Sequence, residues 1–391
     1  MFGWKRALSL LLALCLMSSW ALAEGTEDND LDGLIVEEVM LDDGDQSEPE
    51  DGVLVISDEI YAELSELDME VDDTIDRGVL ELNKNLPENI VNILLVGIDT
   101  RSTDLDKGEQ HGDVQIILSI NKDTGSVKLT SIMRDLYVTI PGYKSKNRIN
   151  VAYHFGQSNS KLNGSGGQLA MRTINRNFQM NIEYFATINF YGLASIIDSI
   201  GGVDLELSAE EAAAINSYLR QHPPAYDNQG KDYQRQELEK VSGVQHLDGV
   251  QAVMYARTRH MSGGSNDFER TERQRKLLEV LLQQVMRDGM DGERLMDLMD
   301  TASDYVTTNM NWSDMFELAV GLLQSGIIEK AKNGETLMEQ FRIPMDGTSK
   351  YSTVSGSGGS KMSVVEFTSG GLQKNVVALH EFIFGEYIPA K

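Results

Sequence analysis

The stretch NIVNILLVGIDT, residues 89–100, predicts the central strand of the fold. Its isoleucines, valines and leucines form an almost continuous apolar run, which is typical of a strand that is buried on both faces of a sheet. The run ends at Asp99 and Thr100, with Arg101 directly behind them. We therefore expect this strand to deliver charged side chains to one edge of the sheet.

Further strands and helices alternate along the chain on both sides of this run. Residues 114–132 hold two apolar runs joined by the turn sequence KDTG, which predicts a β-hairpin. The other predicted strands are 182–189, 203–207, 341–344 and 362–367, and the predicted helices are 166–180, 190–200, 208–221, 247–257, 267–286, 293–300, 312–324 and 372–384. Ser208 and Glu211 have the spacing of a capping box. The pattern predicts an α/β fold, a layered α-β-α domain with a central mixed sheet.

The negative charge of the chain is concentrated near its N-terminus. Residues 24–76 contain 22 Asp or Glu and no Lys or Arg. Removing these acids, and the cations Lys5 and Arg6, from the net charge of −27 leaves −7 for residues 77–391. Such acidic runs are usually solvated and disordered. We predict an acidic linker over 24–78 and a folded domain over 79–391.

Residues 1–23 have the pattern of an export signal. A short basic start, MFGWKR, precedes the apolar residues 7–23, which end in the small-x-small sequence ALA. The apolar stretch is also near the lower length limit of a membrane-spanning helix, so a signal peptide and a membrane anchor both stay open. Either places the domain outside the cytoplasmic membrane. Cys15, the single cysteine, follows Leu14, which argues against a lipoprotein signal.

Several classes of protein lack support in the sequence. There is no phosphate-binding P-loop motif, no H-E-x-x-H zinc motif and no G-x-S-x-G nucleophile motif. The six histidines are scattered without the spacing of metal ligands. A body with a net charge of −7 argues against binding to nucleic acid.

Charged residues recur at the ends of the predicted strands. Asp99 and Arg101 end the first strand, Asp113 precedes the second, and Arg134 and Asp135 follow the third in the sequence SIMRD. Loops at strand ends are a common location for a functional site. Any one of these residues alone is as well explained by a solvated edge or a local ion pair.

A second group of cations lies in YARTRHMSGGSNDFERTERQR, residues 255–275. Arg257 and Arg259 lie at the end of a predicted helix, where cations are favourable in any case. Asp267, Arg270 and Gln274 share one face of the next predicted helix. Arg273 and Arg275 point elsewhere, and we predict that they lie on the surface.

Together these groups have the chemistry of a pyrophosphate site. Arginines from separate segments offer permanent positive charge and paired donors to phosphate oxygens. Two nearby aspartates would suit Mg²⁺, which usually takes one or two carboxylates together with phosphate oxygens and water. Sequence spacing alone does not bring these residues together.

Seven segments resemble the LytR-CpsA-Psr (LCP) family, in the order in which they occur there. They are NILLVGIDTR, GDVQIILSIN, LTSIMRDLYVTIPGY, NRINVAYHFG, DSIGGVDL, LDGVQAVMYARTR and DFERTERQR. These core motifs span residues 90–285. The resemblance implies an α-β-α domain, Mg²⁺ or another divalent cation, and activity as an extracytoplasmic phosphotransferase. It implies transfer of a glycopolymer, such as a teichoic acid or capsule, from polyprenyl pyrophosphate to a peptidoglycan sugar hydroxyl at the outer face of the membrane.

The resemblance also assigns roles to residues of this sequence. Asp99 and Asp113 match the metal-associated aspartates of the family. The positions matching residues around the pyrophosphate are Arg134, Arg257, Arg259, Arg270 and Gln274, and further motif positions are Arg101, Arg148 and Asp267. This chain has His111 where an arginine is frequent and Arg148 where a lysine is common.

We expect Arg134, Arg257, Arg259 and Asp267 to act in catalysis, and Arg101, Arg148, Arg270 and Gln274 to bind the pyrophosphate. Two other functions stay open at this point. A pyrophosphatase would use the same site with water as the acceptor. A non-catalytic wall protein would bind polyprenyl phosphates and regulate or scaffold.

Overall fold

The structure is a computed structural model. It describes residues 75–98, 111–158, 165–221, 235–257, 267–288, 305–311, 314, 318, 322, 325–355 and 361–390. The predicted export signal and nearly all of the predicted acidic linker lie outside these residues. The helix predicted over 293–300 lies outside them too, as does most of the one predicted over 312–324.

A mixed sheet forms the centre of the described fold. The strands are β1 Ile90–Ile98, β2 Gly112–Asn121, β3 Val127–Ile132, β4 Tyr137–Val138, β5 Asn147–Arg148, β6 Tyr184–Asn189, β7 Val203–Leu207, β8 Gly243–Leu247, β9 Val306–Thr308, β10 Met338–Ile343, β11 Ser349–Ser355 and β12 Lys361–Phe367. The order in the central sheet is β10-β3-β2-β1-β6-β9. Strand β1 is antiparallel to β2 and parallel to β6, while β3 is antiparallel to β2 and parallel to β10.

The described helices agree with most of the predicted ones. They are α1 Val151–Gln157, α2 Gly166–Phe178, α3 Phe190–Ser199, α4 Ala209–Gln221, α5 Gly249–Arg257, α6 Asp267–Asp288, α7 Ile327–Lys332 and α8 Gly371–Phe384. The sequence patterns did not indicate α1 or α7, which are short, nor the strands β4, β5, β8, β9 and β11. The predicted α/β class and central mixed sheet are confirmed.

Helices cover both faces of the sheet at its β10 end. Phe341 of β10 stacks on Phe382 of α8, with 5.2 Å between ring centroids. The neighbouring residue Gln340 points to the opposite face, because side chains alternate along a strand. There its Oε1 accepts a 3.0 Å hydrogen bond from Arg275 Nε of α6. The sheet is therefore enclosed between α8 and α6.

Helix α2 begins in a glycine-rich sequence for a packing reason. Ser165 caps the helix by accepting a 3.2 Å hydrogen bond from the Gln168 amide. A Cβ at Gly167 would lie 2.5 Å from the ring of Phe185, a buried residue of β6. Only glycine lets the helix approach the sheet this closely. Phe178 and Phe185 then join a buried apolar cluster between α2, α8 and the sheet.

A second apolar cluster joins α4, α5 and α6 to the hairpin β7–β8. The predicted capping box of α4 is confirmed. The Ser208 amide donates to Glu211 Oε2 at 2.9 Å, and the Glu211 amide donates to Ser208 Oγ at 3.2 Å. This cluster fixes the direction of α5 and α6, the helices that carry the second group of predicted site residues.

Candidate active site

Strand ends bring the first group of predicted site residues to one edge of the sheet. Because β1, β3 and β6 run in one direction and β2 runs against them, three strands end where β2 begins. Ile98, the last residue of β1, pairs with Gly112 on one side and with Asn189 on the other. Residues next to these positions therefore share one region. We call this region the strand-end edge.

Asp113 and Arg134 are in direct contact at this edge. Arg134 Nη1 donates to Asp113 Oδ2 at 2.6 Å, and the side chains are only 17% and 15% exposed. Charge-assisted hydrogen bonds of this length are stronger than neutral ones, and partial burial reduces their screening by water. Arg134 is thus held in a defined position by the aspartate that the family resemblance assigns to metal binding.

Asp135 links two arginines in the same region. Its Oδ2 lies 3.5 Å from Arg134 Nε, and its Oδ1 accepts a 3.3 Å hydrogen bond from Arg148 Nη1. The backbone is fixed as well, because the Val365 amide donates to the Asp135 carbonyl at 2.8 Å. Asp135 was absent from the predicted site residues, although it directly follows Arg134 in the sequence.

Asn150 is a second polar residue that the predicted site lacked. It is buried, and its Nδ2 donates to Asp113 Oδ1 at 3.1 Å. Its Oδ1 is also buried and has no hydrogen-bond partner among the described residues. The signal in the sequence is the motif NRIN, in which Asn150 follows Arg148 by two residues. The strand-end edge therefore holds a buried acceptor atom that no donor of the described residues matches.

The group Asp113, Arg134, Asp135, Arg148 and Asn150 forms one connected network, which we call the edge cluster. Arg148 enters it because β5 pairs with β4, setting Arg148 opposite Tyr137 just beyond Arg134. The Nε atom of Arg148 is buried and has no hydrogen-bond partner within the described ranges. The cluster thus has unused donor and acceptor capacity on both Arg148 and Asn150.

Arg257 approaches the same edge from α5. Its guanidinium carbon lies 4.2 Å from the ring centroid of Phe190, which is cation–π geometry. Phe190 begins α3 directly after Asn189, the end of β6. Since Asn189 pairs with Ile98, the Arg257 guanidinium lies close to the end of β1. Phe190 was missing from the predicted site, and no charge pattern in the sequence points to it.

The remaining predicted residues are placed only in part. Asp267 and Arg270 lie in the first turns of α6, and the structure gives their backbone but not their side chains. Gln274 follows one turn after Arg270 and is partly exposed. Asp99, Arg101 and Arg259 lie outside the described residues.

The prediction that Arg273 and Arg275 lie on the surface is wrong. They are only 7% and 8% exposed. Arg273 precedes Leu277 by one helical turn, so it lies on the face of α6 that packs against α5. Arg275 donates to Ser131 Oγ and Gln340 Oε1 on the sheet, and burial lowers the pKa of its guanidinium. Helix α6 is packed on two sides, so these arginines anchor it.

A divalent cation would find oxygen donors in this cluster. The hard ligands that Mg²⁺ prefers are carboxylate, carboxamide and water oxygens, and Asp113 and Asn150 supply the first two. Within the ranges that the structure covers, no three His, Cys, Asp or Glu side chains converge as a metal site. Asp99, the other predicted ligand, is outside those ranges. The residues present therefore fit a cation that is completed by phosphate oxygens and water.

The fold and the edge cluster define an α/β protein with a charged site at its strand ends. The LytR_cpsA_psr family model matches residues 59–358, and the chain belongs to this family. The predicted family is confirmed. In the described part of the chain, no helix has the length and apolar character needed to cross a membrane.

Curated relatives are similar over most of their length. The polyisoprenyl-teichoic acid–peptidoglycan teichoic acid transferase TagU of Enterococcus faecalis is 29% identical over 245 residues, which cover 62% of this chain and 68% of that protein. The protein of the same name from Bacillus anthracis is 28% identical over 309 residues, covering 76% of this chain and 85% of the relative.

Solved structures share the fold. TagT bound to LI-WTA superposes with a TM-score of 0.52 at 19% identity, covering 79% of this chain and 98% of that one. TagV of Bacillus subtilis superposes with a TM-score of 0.52 at 23% identity, and the match covers 78% of this chain and 100% of that one. The protein gbs0355 of Streptococcus agalactiae superposes with a TM-score of 0.53 at 20% identity, and the match covers 81% of this chain and 91% of that one. At such identities the likeness concerns the fold.

Proposed function

We propose that this chain is an extracytoplasmic phosphotransferase. It moves a glycopolymer, of which teichoic acid is the leading candidate, from polyprenyl pyrophosphate to a sugar hydroxyl of peptidoglycan. Membership of the family and the transferase names of the curated relatives support this proposal. The observation that carries it is the contact between Asp113 and Arg134 at the strand-end edge, because it joins a predicted metal ligand to a predicted phosphate ligand.

The proposed reaction exchanges the phosphoanhydride bond of the pyrophosphate for a phosphodiester bond to the acceptor. The acceptor hydroxyl oxygen forms a bond to the phosphorus that carries the glycan, and polyprenyl phosphate leaves with the electrons of the broken P–O bond. Negative charge grows on the leaving phosphate, so catalysis consists mainly of positioning and charge neutralisation. Arginines are suited to this task because they stay charged and offer paired donors.

We assign the charge-stabilising role to Arg134, Arg257 and Arg259. The residues proposed to hold the pyrophosphate are Arg101, Arg148, Arg270 and Gln274. For Asp267, which begins α6, two roles stay open: it orients an arginine, or it accepts the proton of the attacking hydroxyl. Asp135 and Asn150 are positioning residues. Asp135 contacts Arg148, a proposed pyrophosphate ligand, and Asn150 contacts Asp113, a proposed metal ligand.

The proposed metal ligands are Asp99 and Asp113. When bound there, Mg²⁺ would neutralise phosphate charge and orient the pyrophosphate. Asp113 keeps acceptor capacity for this, because a carboxylate offers about four acceptor positions and the described contacts are those to Arg134 and Asn150. Asn150 and Arg134 hold the Asp113 carboxylate in place before the metal or substrate arrives.

The proposed location is the outer face of the cytoplasmic membrane or the cell wall. Residues 1–23 serve as a signal peptide or anchor, residues 24–78 as an acidic linker, and residues 79–391 as the catalytic domain. The partners are then a polyprenyl-pyrophosphate-linked glycan, peptidoglycan and the membrane surface. The sequence pattern of residues 1–23 and the acidity of residues 24–76 support this arrangement.

A transfer assay on the full chain tests the proposal. The chain is incubated with Mg²⁺, a synthetic polyprenyl-pyrophosphoryl glycan and peptidoglycan oligomers. We expect a phosphodiester-linked product, and we expect its loss in Arg134→Gln. The matched control is Arg172→Gln, since Arg172 forms an equally short and partly buried pair with Glu81, 2.7 Å, outside the cluster.

Two results would contradict the proposal. Release of free phosphoglycan without an acceptor product would show a pyrophosphatase. Tight binding of the donor with no turnover would show a binding protein. Unchanged transfer by a folded Arg134→Gln variant would contradict the assignment of the edge cluster.

A further inference from the structure

Four rings form a row that starts beside Asp113 and ends in an exposed loop. His111 precedes Asp113 by two residues, and its ring meets the ring of His154 edge to face at 5.5 Å. The ring of Phe155 lies 6.2 Å from His154, and Tyr143 stacks on Phe155 at 4.6 Å with 23° between planes. We call His111, His154, Phe155 and Tyr143 the ring row. It leads from the edge cluster to the protein surface.

The outer end of the ring row lies in a basic loop. Residues 139–146 connect β4 to β5, and within this loop Lys144 and Lys146 are exposed. The sequence from 136 to 182 has no Asp or Glu, although the chain as a whole carries a net charge of −27. In the described part of the chain, no carboxylate pairs with either lysine. The loop therefore presents positive charge in an otherwise acidic protein.

The loop and the edge cluster are parts of one hairpin. Arg148 of β5 lies two residues after Lys146, and its guanidinium contacts Asp135 at 3.3 Å. The cations Lys144, Lys146 and Arg148 thus follow one another at every second residue, from the exposed loop into the cluster. A ligand held by the cluster would meet these lysines and the ring row as it extends towards the solvent.

We propose that the ring row and the basic loop bind the phosphate-bearing glycan chain of the donor beyond its pyrophosphate. This inference rests on the proposed function. Ring faces pack against the apolar C–H faces of sugars, while ammonium groups bind phosphate oxygens as point charges. A polymer with a phosphate in each repeat presents both features along its length. A neutral glycan strand would use the rings but leave the lysines without a ligand.

An anionic membrane surface fits these residues less well. A membrane-binding loop inserts protruding apolar side chains, whereas the ring of Tyr143 is stacked on Phe155. Two lysines contribute only about 1 kcal/mol each near an anionic bilayer.

A binding experiment with a labelled glycerol-phosphate oligomer tests the inference on the full chain. The variant is Lys144→Gln/Lys146→Gln, and the matched control is Lys330→Gln/Lys332→Gln. The control pair on α7 is also exposed and has the same spacing. We expect about three- to tenfold weaker binding for the loop variant, with no change for the control. Added salt should reduce the difference, because exposed charges are screened.

A second pair of variants tests the ring row. Tyr143→Ala removes the outer ring and should weaken binding of the oligomer about threefold, while Tyr143→Phe keeps the stack and should bind like the wild type. Tyr143 is an exposed loop residue, so neither change threatens the fold.

Three results would overturn the inference: equal binding by all variants, equal competition by a neutral N-acetylhexosamine oligomer, or a lysine dependence seen only with phosphatidylglycerol vesicles. The last would assign the loop to the membrane. The experiment needs no turnover, so it stays separate from the transfer assay. Oligomer binding without transfer would contradict the proposed function alone. Transfer without lysine-dependent binding would contradict only this inference.

Discussion

Two clusters of arginines and carboxylates in this protein differ in how many of their buried polar atoms have hydrogen-bond partners among the described residues. In the first, Glu81 accepts hydrogen bonds from Arg172 Nε and Nη2 at 2.9 and 2.7 Å and from Arg176 Nε at 2.6 Å. The two arginines lie one turn apart on α2 and hold the segment before β1 against that helix. We call this group the clasp.

The edge cluster has the same chemistry but an incomplete set of partners. Buried Arg148 Nε and Asn150 Oδ1 have no hydrogen-bond partner within the described residues. Leaving a buried polar atom unmatched costs about 1–3 kcal/mol, so proteins rarely retain such atoms without a use. The clasp is therefore complete as a structural contact, whereas the edge cluster keeps two buried polar atoms that no described residue matches.

Replacement of Arg134 should give the largest difference in transfer activity between variants of the two clusters. We expect Arg134→Gln to lower kcat for transfer by about 10²–10³-fold, because a preorganised donor to the developing charge is lost. Arg172→Gln, in the clasp, should keep kcat within about twofold. Equal losses of activity in the two variants would remove the distinction between them.

Replacement of Asn150 tests the unmatched oxygen. Asn150→Leu removes the donor to Asp113 Oδ1 and the free carboxamide oxygen together. We expect about tenfold more Mg²⁺ for half-maximal activity, as is usual when a residue that orients a metal ligand is lost. The control is Asn216→Leu, an equally buried asparagine that binds the backbone of Leu238. An unchanged Mg²⁺ requirement in Asn150→Leu would show that Asn150 neither binds the metal nor positions Asp113 for it.

Replacement of Phe190 tests how Arg257 is positioned. The loss of a cation–π contact of about 1 kcal/mol predicts about fivefold lower kcat in Phe190→Leu, with KM for the donor little changed. Phe190→Tyr retains a ring and should restore most of the rate. If leucine and tyrosine behave alike, the stack with Arg257 has no role in transfer.

Replacement of Arg172 should affect stability alone. Arg172→Gln removes two hydrogen bonds to Glu81, and a partly exposed pair of this kind contributes about 1 kcal/mol. Urea unfolding should therefore show a slightly lower free energy of unfolding at an unchanged slope. A loss of activity larger than the loss of folded protein would contradict a purely structural clasp.

The smallest effect concerns pH and His380, a fully buried residue near the clasp. Its Nε2 donates to the Phe178 carbonyl at 3.0 Å, and its Nδ1 accepts from the Ile388 amide at 3.3 Å. Burial lowers its pKa from the ordinary value of 6.5, so the folded protein keeps the ring neutral. Below pH 6.5 the unfolded chain takes up a proton that the folded chain rejects.

Stability should therefore fall as the pH drops from 6.5 to 5.5, by at most about 1.4 kcal/mol per pH unit. His380→Gln keeps one donor and one acceptor without titrating, so its share of the decrease in stability between pH 6.5 and 5.5 should vanish. Urea unfolding at several pH values measures how the free energy of unfolding depends on pH. An identical slope in wild type and variant would exclude His380 as the source.

The apolar patterns predicted the elements that are buried on both sides. Residues 89–100 form β1, and the sequence KDTG separates β2 from β3 as predicted, because continuous apolar runs and turn residues are strong local signals. Strand β8 escaped prediction because its sequence, GVQHL, lies on an exposed hairpin in which Val244 is 71% exposed. Such a strand depends on its pairing with β7 rather than on its own composition.

The charged residues show the limit of sequence reasoning in this protein. Strand ends and the family resemblance predicted Asp113 and Arg134 as site residues, but they did not predict that the two side chains contact each other. The burial of Arg273 and Arg275 was not predicted either, because a helix pattern treats each arginine as solvated and does not show a second packing surface. Phe190 and Asn150 carry no charge, so their roles emerge only when the chain is folded.

A crystal structure of the protein with Mg²⁺ and an isoprenyl pyrophosphate would test most directly whether the strand-end edge is the active site. We predict a pyrophosphate within hydrogen-bond distance of Arg134 and Arg257, and a cation on Asp113 next to Asn150. Arg148 Nε should gain an acceptor on the ligand. A pyrophosphate bound elsewhere, with the edge cluster unchanged, would contradict the claim that these strand ends form the site.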